Sequence, residues 1–275
     1  MTGAVTRQHS SVRRYRELAR PPAGNGLDRE LLLDGLHLLS EAHASGIGIE
    51  TAAFEHGALD NLQARAIAEK LSASGTEVLI VSRNVLEAMS PVRTPSGAVG
   101  IARRSLVSLP VAMRGQPPLV VVAHDVQDPG NVGGIARTAE AAGATAFVAT
   151  SGTADPLGWK ALRGSMGSAL RLPIARAAID ETLRECRKAG VATIALVPRG
   201  GKPFFEIAFQ KPTAVLLGGE GAGLPDDVAR SADEQVSIPM HDPVESLNVG
   251  VAAALVLYEA FRQRRLGGSR QARNL

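Results

Sequence analysis

The chain is poor in the residues from which several common kinds of site are built. One of its 275 residues is a cysteine, Cys186. That excludes an intrachain disulfide and a cysteine-ligated zinc site, and it fits a reducing, cytoplasmic setting. The six histidines are scattered, with no His-x-x-x-His pair, so no metal is expected. Aromatic residues make up only 3%, which argues against an exposed sheet on which bases stack. No apolar run reaches the length of about 20 residues that spans a bilayer. The best stretch, around 249–261, carries Tyr258 and Glu259, so no membrane association is expected. The opening Met-Thr-Gly-Ala-Val-Thr-Arg-Gln-His has no apolar signal core. The glycine-rich turns lack both the Gly-x-Gly-x-x-Gly spacing and a Lys-Ser/Thr ending. A Rossmann-type oxidoreductase and a P-loop enzyme are thereby set aside.

What is present is enough apolar residue, 45%, for real cores, in a length that suits one large or two ordinary domains. The net charge of +3 says little about partners. Its distribution says more. Arg7, Arg13, Arg14, Arg16 and Arg20 crowd one end, and Arg262, Arg264, Arg265, Arg270 and Arg273 the other. Such clusters suit a phosphate backbone.

Three segments carry the chemistry. In the first, an apolar strand from Leu119 runs through Asp125 into an Asp-Pro-Gly turn and an Ala-rich helix, with Asn131 and Arg137 flanking Gly133 and Gly134. In the second, Ala214-Val-Leu-Leu leads into a glycine-rich turn with Gly218, Gly219, Glu220 and Gly223, then a helix started by Pro225. In the third, a strand ends at Ile238-Pro-Met240. After the turn His241-Asp242-Pro243, Ser246, Leu247 and Asn248 open a long apolar helix. Small polar side chains and free backbone donors meet at that helix start, where a ligand can be held, although Ser and Asn are also ordinary N-caps.

Taken together, the three segments resemble the three motifs of the SpoU (TrmH-type) RNA 2′-O-ribose methyltransferases of the SPOUT superfamily. The first motif matches at Asn131, Gly133 and Arg137. The second matches at Gly218, Glu220 and Gly223, and the third at Ile238 to Met240 and Ser246 to Val249. The resemblance covers about residues 115–265. It departs at His241-Asp242-Pro243, where smaller residues are expected.

Pattern reading places helices at 10–20 and 29–44, the latter from the spacing of Leu31, Leu32, Leu33, Leu36, Leu38 and Leu39. A strand follows at 47–54, a helix at 61–74 with Gly75 as C-cap, a strand at 77–81, a short helix at 84–89 and a strand at 97–102. Residues 103–118, with Pro110, Gly115, Pro117 and Pro118, read as a linker. The boundary is placed near 113, giving domains 1–113 and 114–275. From 119, strands at 119, 146–149, 170–174, 191–197, 213–218 and 234–238 alternate with helices at 132–142, 156–166, 180–188, 225–231 and 246–264. That pattern implies an α/β fold with a mostly parallel sheet covered by helices on both faces. The resemblance adds a trefoil knot in the C-terminal domain. It also likens the small N-terminal α/β unit to a substrate-binding domain similar to ribosomal RNA-binding proteins.

The resemblance implies S-adenosylmethionine as cofactor, held by Leu217, Gly218, Gly219, Ile238, Met240 and Leu247. Arg137 is the expected reaction-centre residue, as base or as electrostatic stabiliser. A guanidinium stays protonated, which favours the second role. Asn131 would orient Arg137 or the ribose and could also cap its helix. Glu220 would pair with Asn131 or Arg137 or touch the substrate. Ser246 and Asn248 would complete the site. The expected partners are RNA, ribosomal in preference to transfer RNA, and a second copy of the chain bound through the C-terminal domain. The alternative is an RNA-binding protein that keeps the fold without catalysis.

Overall fold

The computed structural model describes residues 10–20 and 26–271, with the side chains of residues 10 and 267–271 outside the description. Arg7 and Arg273 of the basic clusters, and the side chain of Arg270, lie outside the described residues. The first elements are α1 (Ser10–Leu18), β1 (Asp28–Asp34), α2 (Leu36–Ala44), β2 (Ile49–Glu55), α3 (Leu62–Ala73), β3 (Glu77–Val81), α4 (Arg83–Met89) and β4 (Ala98–Ser105). The chain goes on through α5 (Leu109–Ala112), β5 (Leu119–His124), α6 (Pro129–Ala141), β6 (Ala146–Ala149), α7 (Trp159–Ser165), α8 (Ser168–Arg171), β7 (Ile174–Arg176), α9 (Ile179–Ala189) and β8 (Ala192–Leu196). It ends with β9 (Lys202–Pro203), β10 (Thr213–Gly218), α10 (Asp226–Ser231), β11 (Glu234–Ser237) and α11 (Val249–Gln271).

Two compact units result. The first comprises the chain to Ser105 together with Leu157–Arg171; the second comprises Leu106–Pro156 and the chain from Leu172 onward. Sequence reading puts the boundary near 113. Contacts divide the chain earlier because Leu109, Ala112 and Met113 bury themselves in the core of the second unit.

The first unit is a four-stranded sheet in the order β1-β4-β2-β3, antiparallel except for the β2–β3 pair. The helix expected over 29–44 is instead β1 and α2. Leu31, Leu32 and Leu33 are all buried, as in a strand covered on both faces, and leucines at those positions satisfy either periodicity. Gly35 decides the break. Its φ is +102°, and a side chain there would collide with Ser96 Oγ. The segment 157–171 belongs to this unit through Trp159, whose indole N–H donates to the Ala19 carbonyl. Arg163 also pairs at 3.1 Å with the buried Asp34 carboxylate. Burial pushes the Asp34 pKa up, against the opposing pull of Ser90 and Arg163.

The second unit is a seven-stranded sheet in the order β7-β6-β5-β10-β8-β11-β9, parallel throughout. β5, β6 and β10 are buried almost end to end, as strands covered on both faces should be. The strand expected at 170–174 differs. Residues Ser168–Arg171 form a helical turn, and β7 starts only at Ile174, after Pro173, which offers no N–H to a ladder. The last helix starts at Val249 rather than 246. Asn248 Oδ1 accepts from the N–H groups of Gly250 and Val251 and is the cap, while Ser246 stays in the preceding loop. The carboxyl ends of β5, β8, β10 and β11 thus point toward one edge of the sheet, where the three motif turns lie.

Candidate active site

The second motif is built on the central strand. β10 ends at Gly218, and the turn that follows folds back so that the Gly223 N–H donates to the Gly219 carbonyl at 3.1 Å. A Cβ at Gly218 would overlap the backbone of Gly223 and Leu224, and one at Gly219 would overlap the carbonyl of Asp125. The spacing of these glycines therefore follows from close backbone approach.

Beside this turn opens a cleft of about 320 Å³. Leu217, Gly218, Gly219, Ile238, Met240 and Leu247 all line it, as do Glu220, Ser246 and Asn248. Leu196, Val197 and Pro198, from the end of β8, and Ala252 of α11 complete the walls. Sequence reading does not single these out, because they carry no motif and only the strand order brings β8 beside β10. The cleft combines apolar walls with exposed backbone polar groups at glycine turns. That donor set suits an adenosine with an attached thioether or sulfonium chain and offers no ligand set for a metal. Among the described residues there is no group of three or more His, Cys, Asp or Glu side chains that could hold a metal ion.

At the rim the three motifs are joined by hydrogen bonds. Asp128 is the N-cap of α6: its side chain accepts from the Asn131 N–H at 2.8 Å, so Asn131 sits in the first turn rather than capping it. That frees the Asn131 amide. Its Nδ2 donates to Glu220 Oε1 at 2.6 Å, and its Oδ1 accepts from Asn248 Nδ2 at 3.1 Å. The negative carboxylate leaves one sensible orientation for the Asn131 amide, with nitrogen toward Glu220. Residues 89 and 117 positions away in sequence are thereby locked to the first motif.

Arg137 is placed differently. It is exposed on α6, it does not line the cleft, and no hydrogen bond or ion pair holds it among the described residues. Six residues beyond Asn131, at about 100° per residue, it lies about 120° round the helix axis from it. The structure therefore brings Asn131, Glu220 and Asn248 together and leaves Arg137 facing outward.

Residues 118–258 match the model of the SpoU rRNA methylase family. The chain belongs to the SpoU rRNA methylase family. Residues 27–100 match a second model, the MRM3-like substrate binding domain, which this family member carries ahead of its methylase part. An uncharacterized tRNA/rRNA methyltransferase of Synechocystis is 36% identical to it over 94% of this chain and 92% of that relative. A 23S rRNA guanosine-2′-O-methyltransferase of Bacillus subtilis, RlmP, is 32% identical over 67% of this chain and 73% of its own length. Among solved structures, the AdoMet-bound rRNA methyltransferase of Sinorhizobium meliloti superposes with a TM-score of 0.81 at 31% identity, covering 94% of this chain and 97% of that one. The SpoU methyltransferase AviRb of Streptomyces viridochromogenes, in complex with AdoMet, gives 0.81 at 28% identity, covering 94% and 98%.

Proposed function

We propose that this SpoU family member transfers a methyl group from S-adenosylmethionine to a ribose 2′-hydroxyl of structured RNA, ribosomal RNA in preference to transfer RNA. The observation that carries the reading is the convergence of the second and third motifs on one cleft, with Asn131 of the first motif hydrogen-bonded to Glu220 and Asn248 at its rim. When bound, the cofactor supplies an electrophilic methyl on its sulfonium. The turns at Leu217 to Gly219, Ile238 to Met240 and Leu247 hold it by backbone and apolar contact. Asn131 and Asn248, fixed by Glu220, present polar groups that orient the acceptor ribose. Ser246 completes this rim from the third motif. Arg137, exposed on the outward side of α6, grips a phosphate of the bound RNA.

The reading extends to assembly. α11 buries Ala253, Val256, Leu257 and Ala260 but leaves Val251, Leu255 and Tyr258 about half exposed, in a stripe beside Gly134 and Thr138 of α6. An apolar stripe of that kind favours a second copy of the chain, and we assign it the homodimer contact. The trefoil knot implied by the family resemblance belongs to the same proposal. No helix among the described residues is long and apolar enough to cross a membrane, and a buried, unpaired Cys186 suits a cytoplasmic setting.

The test is transfer of tritiated methyl groups to unmodified 23S rRNA and to bulk tRNA, with and without chelator, followed by mapping of the labelled nucleotide. Label is expected on a ribose of rRNA, undiminished by chelation. Label on a base, or in tRNA alone, would overturn the assignment.

A further inference from the structure

Asp125 and Gln127 precede the first motif and have so far no role. Asp125 follows the last residue of β5 and takes φ = 54°, a region that side-chain-bearing residues seldom enter and Asp tolerates better than most. It is enclosed closely. Its carbonyl occupies the space a side chain on Gly219 would need, and its carboxylate the space a side chain on Gly152 would need. Its N–H donates to the Ser151 carbonyl at 3.1 Å. Its Oδ1 accepts from Gln127 Nε2 at 3.0 Å, a side-chain bridge across the turn. That bridge leaves the peptide N–H of Gln127 directed at Glu220 Oε2, 3.3 Å away. Glu220 therefore has both oxygens engaged, one by Gln127 and one by Asn131, and Asn131 in turn engages Asn248.

We propose that Asp125 and Gln127 are positioning residues for methyl transfer: they aim the Glu220 carboxylate and, through it, the amides of Asn131 and Asn248. A carboxylate held at one oxygen can swing; held at both, it defines a plane and a direction for the groups it binds. The tight turn makes this economical, since Asp125 also backs the glycine turn that walls the cleft. The proposal deepens the methyltransferase reading and rests on Glu220 belonging to the site.

The experiment uses the full chain and compares Asp125→Ala, Asp125→Asn, Gln127→Ala, Glu220→Gln and the double variant Gln127→Ala/Glu220→Gln. It measures kcat, KM for S-adenosylmethionine and for rRNA, and Tm. Asp125→Ala and Gln127→Ala are expected to lower kcat by about tenfold or more with cofactor KM within about threefold. Asp125→Asn keeps an acceptor and tolerates the same backbone angle, so it recovers most of the rate. The double variant is expected to be no slower than Glu220→Gln alone, since the first residue acts through the second. A slow Glu220→Gln beside wild-type rates for Asp125→Ala and Gln127→Ala overturns the positioning role and leaves the site reading standing. Losses that multiply in the double variant overturn it too, because the two residues then act independently. Glu220→Gln at the wild-type rate, or a wild-type protein without methyl transfer, overturns the site reading and the proposal together. If Asp125→Ala loses its fold, Gln127→Ala and the double variant decide alone.

Discussion

At the scale of single residues, a locked carboxylate–amide chain contrasts with an exposed arginine on the outward side of the same motif helix. Asn131, Glu220 and Asn248 hold one another, whereas Arg137 has no partner among the described residues to give up when a phosphate arrives. Replacing it should therefore leave the protein stable. Arg137→Ala is expected to lower kcat by more than about tenfold, or over about 1.4 kcal/mol, while cofactor affinity by calorimetry stays within several-fold. A variant retaining more than a tenth of the rate would mean that Arg137 is peripheral. The glycines predict the opposite pattern. Gly219→Ala drives a methyl into the Asp125 carbonyl, so both stability and the cleft wall suffer. A cost of about 1–3 kcal/mol is expected from such overpacking, seen as a lower Tm with S-adenosylmethionine binding weakened at least tenfold. Wild-type affinity in this variant would show that the turn does not wall the cofactor site.

At the scale of elements, α11 does two jobs along its length. Its first turn, capped by Asn248, enters the site. Further along, Arg264 donates to the carbonyls of Pro117, Pro118, Phe209 and Lys211, and Gln263 bridges Ile207 and Phe209. Arg264→Ala leaves those carbonyls to water or unpaired and is expected to cost about 2–4 kcal/mol in urea denaturation. Arg264→Lys should recover little, because an ammonium cannot serve four divergent acceptors. β8 and β11 are joined in another way: Asp233 Oδ2 accepts from both the N–H and the hydroxyl of Thr193 at 2.7 Å, and chiefly the backbone bond holds its pKa below the usual carboxylate range. A depressed folded-state pKa stabilises above the unfolded value and is lost as pH falls through the folded one. Asp233→Asn should therefore flatten the acid limb of a stability–pH curve while mattering less below it. An unchanged limb would assign the acid sensitivity elsewhere. Much of this layer is legible in the sequence. Buried strands such as 146–149 and 213–218 announce themselves as short apolar runs between turns. The segment 29–34 misleads because three consecutive leucines satisfy a helix as well as a strand, and the positive φ by which Gly35 breaks the chain there does not show in the sequence. The three motif turns are legible from spacing, but their hydrogen bonds are not, since they join residues 89 and 117 apart. The outward aim of Arg137 depends on where α6 begins, and the cap at Asp128 sets that start three residues before the pattern implies.

At the scale of the whole molecule, the exposed stripe of Val251, Leu255 and Tyr258 predicts association. Leu255→Asp, alone or with Tyr258→Asp, should convert a dimer into a monomer by light scattering at micromolar concentration while preserving the far-UV spectrum. A wild-type monomer under the same conditions would remove the dimer from the proposal. The arginine clamp of α11 has one more consequence, for the order in which the protein matures. The carbonyls gripped by Arg264 lie at 117–118 and at 209–211, on either side of most of the sheet's strands in the chain. Their anchor comes after every strand, and so does the Asn248 amide that closes the rim. During synthesis on the ribosome the strands can pair while the cleft still lacks one wall. The nascent chain thus has no complete cleft for methyl transfer until its last helix emerges and docks, and a messenger cut short in that helix would yield strands without a finished site.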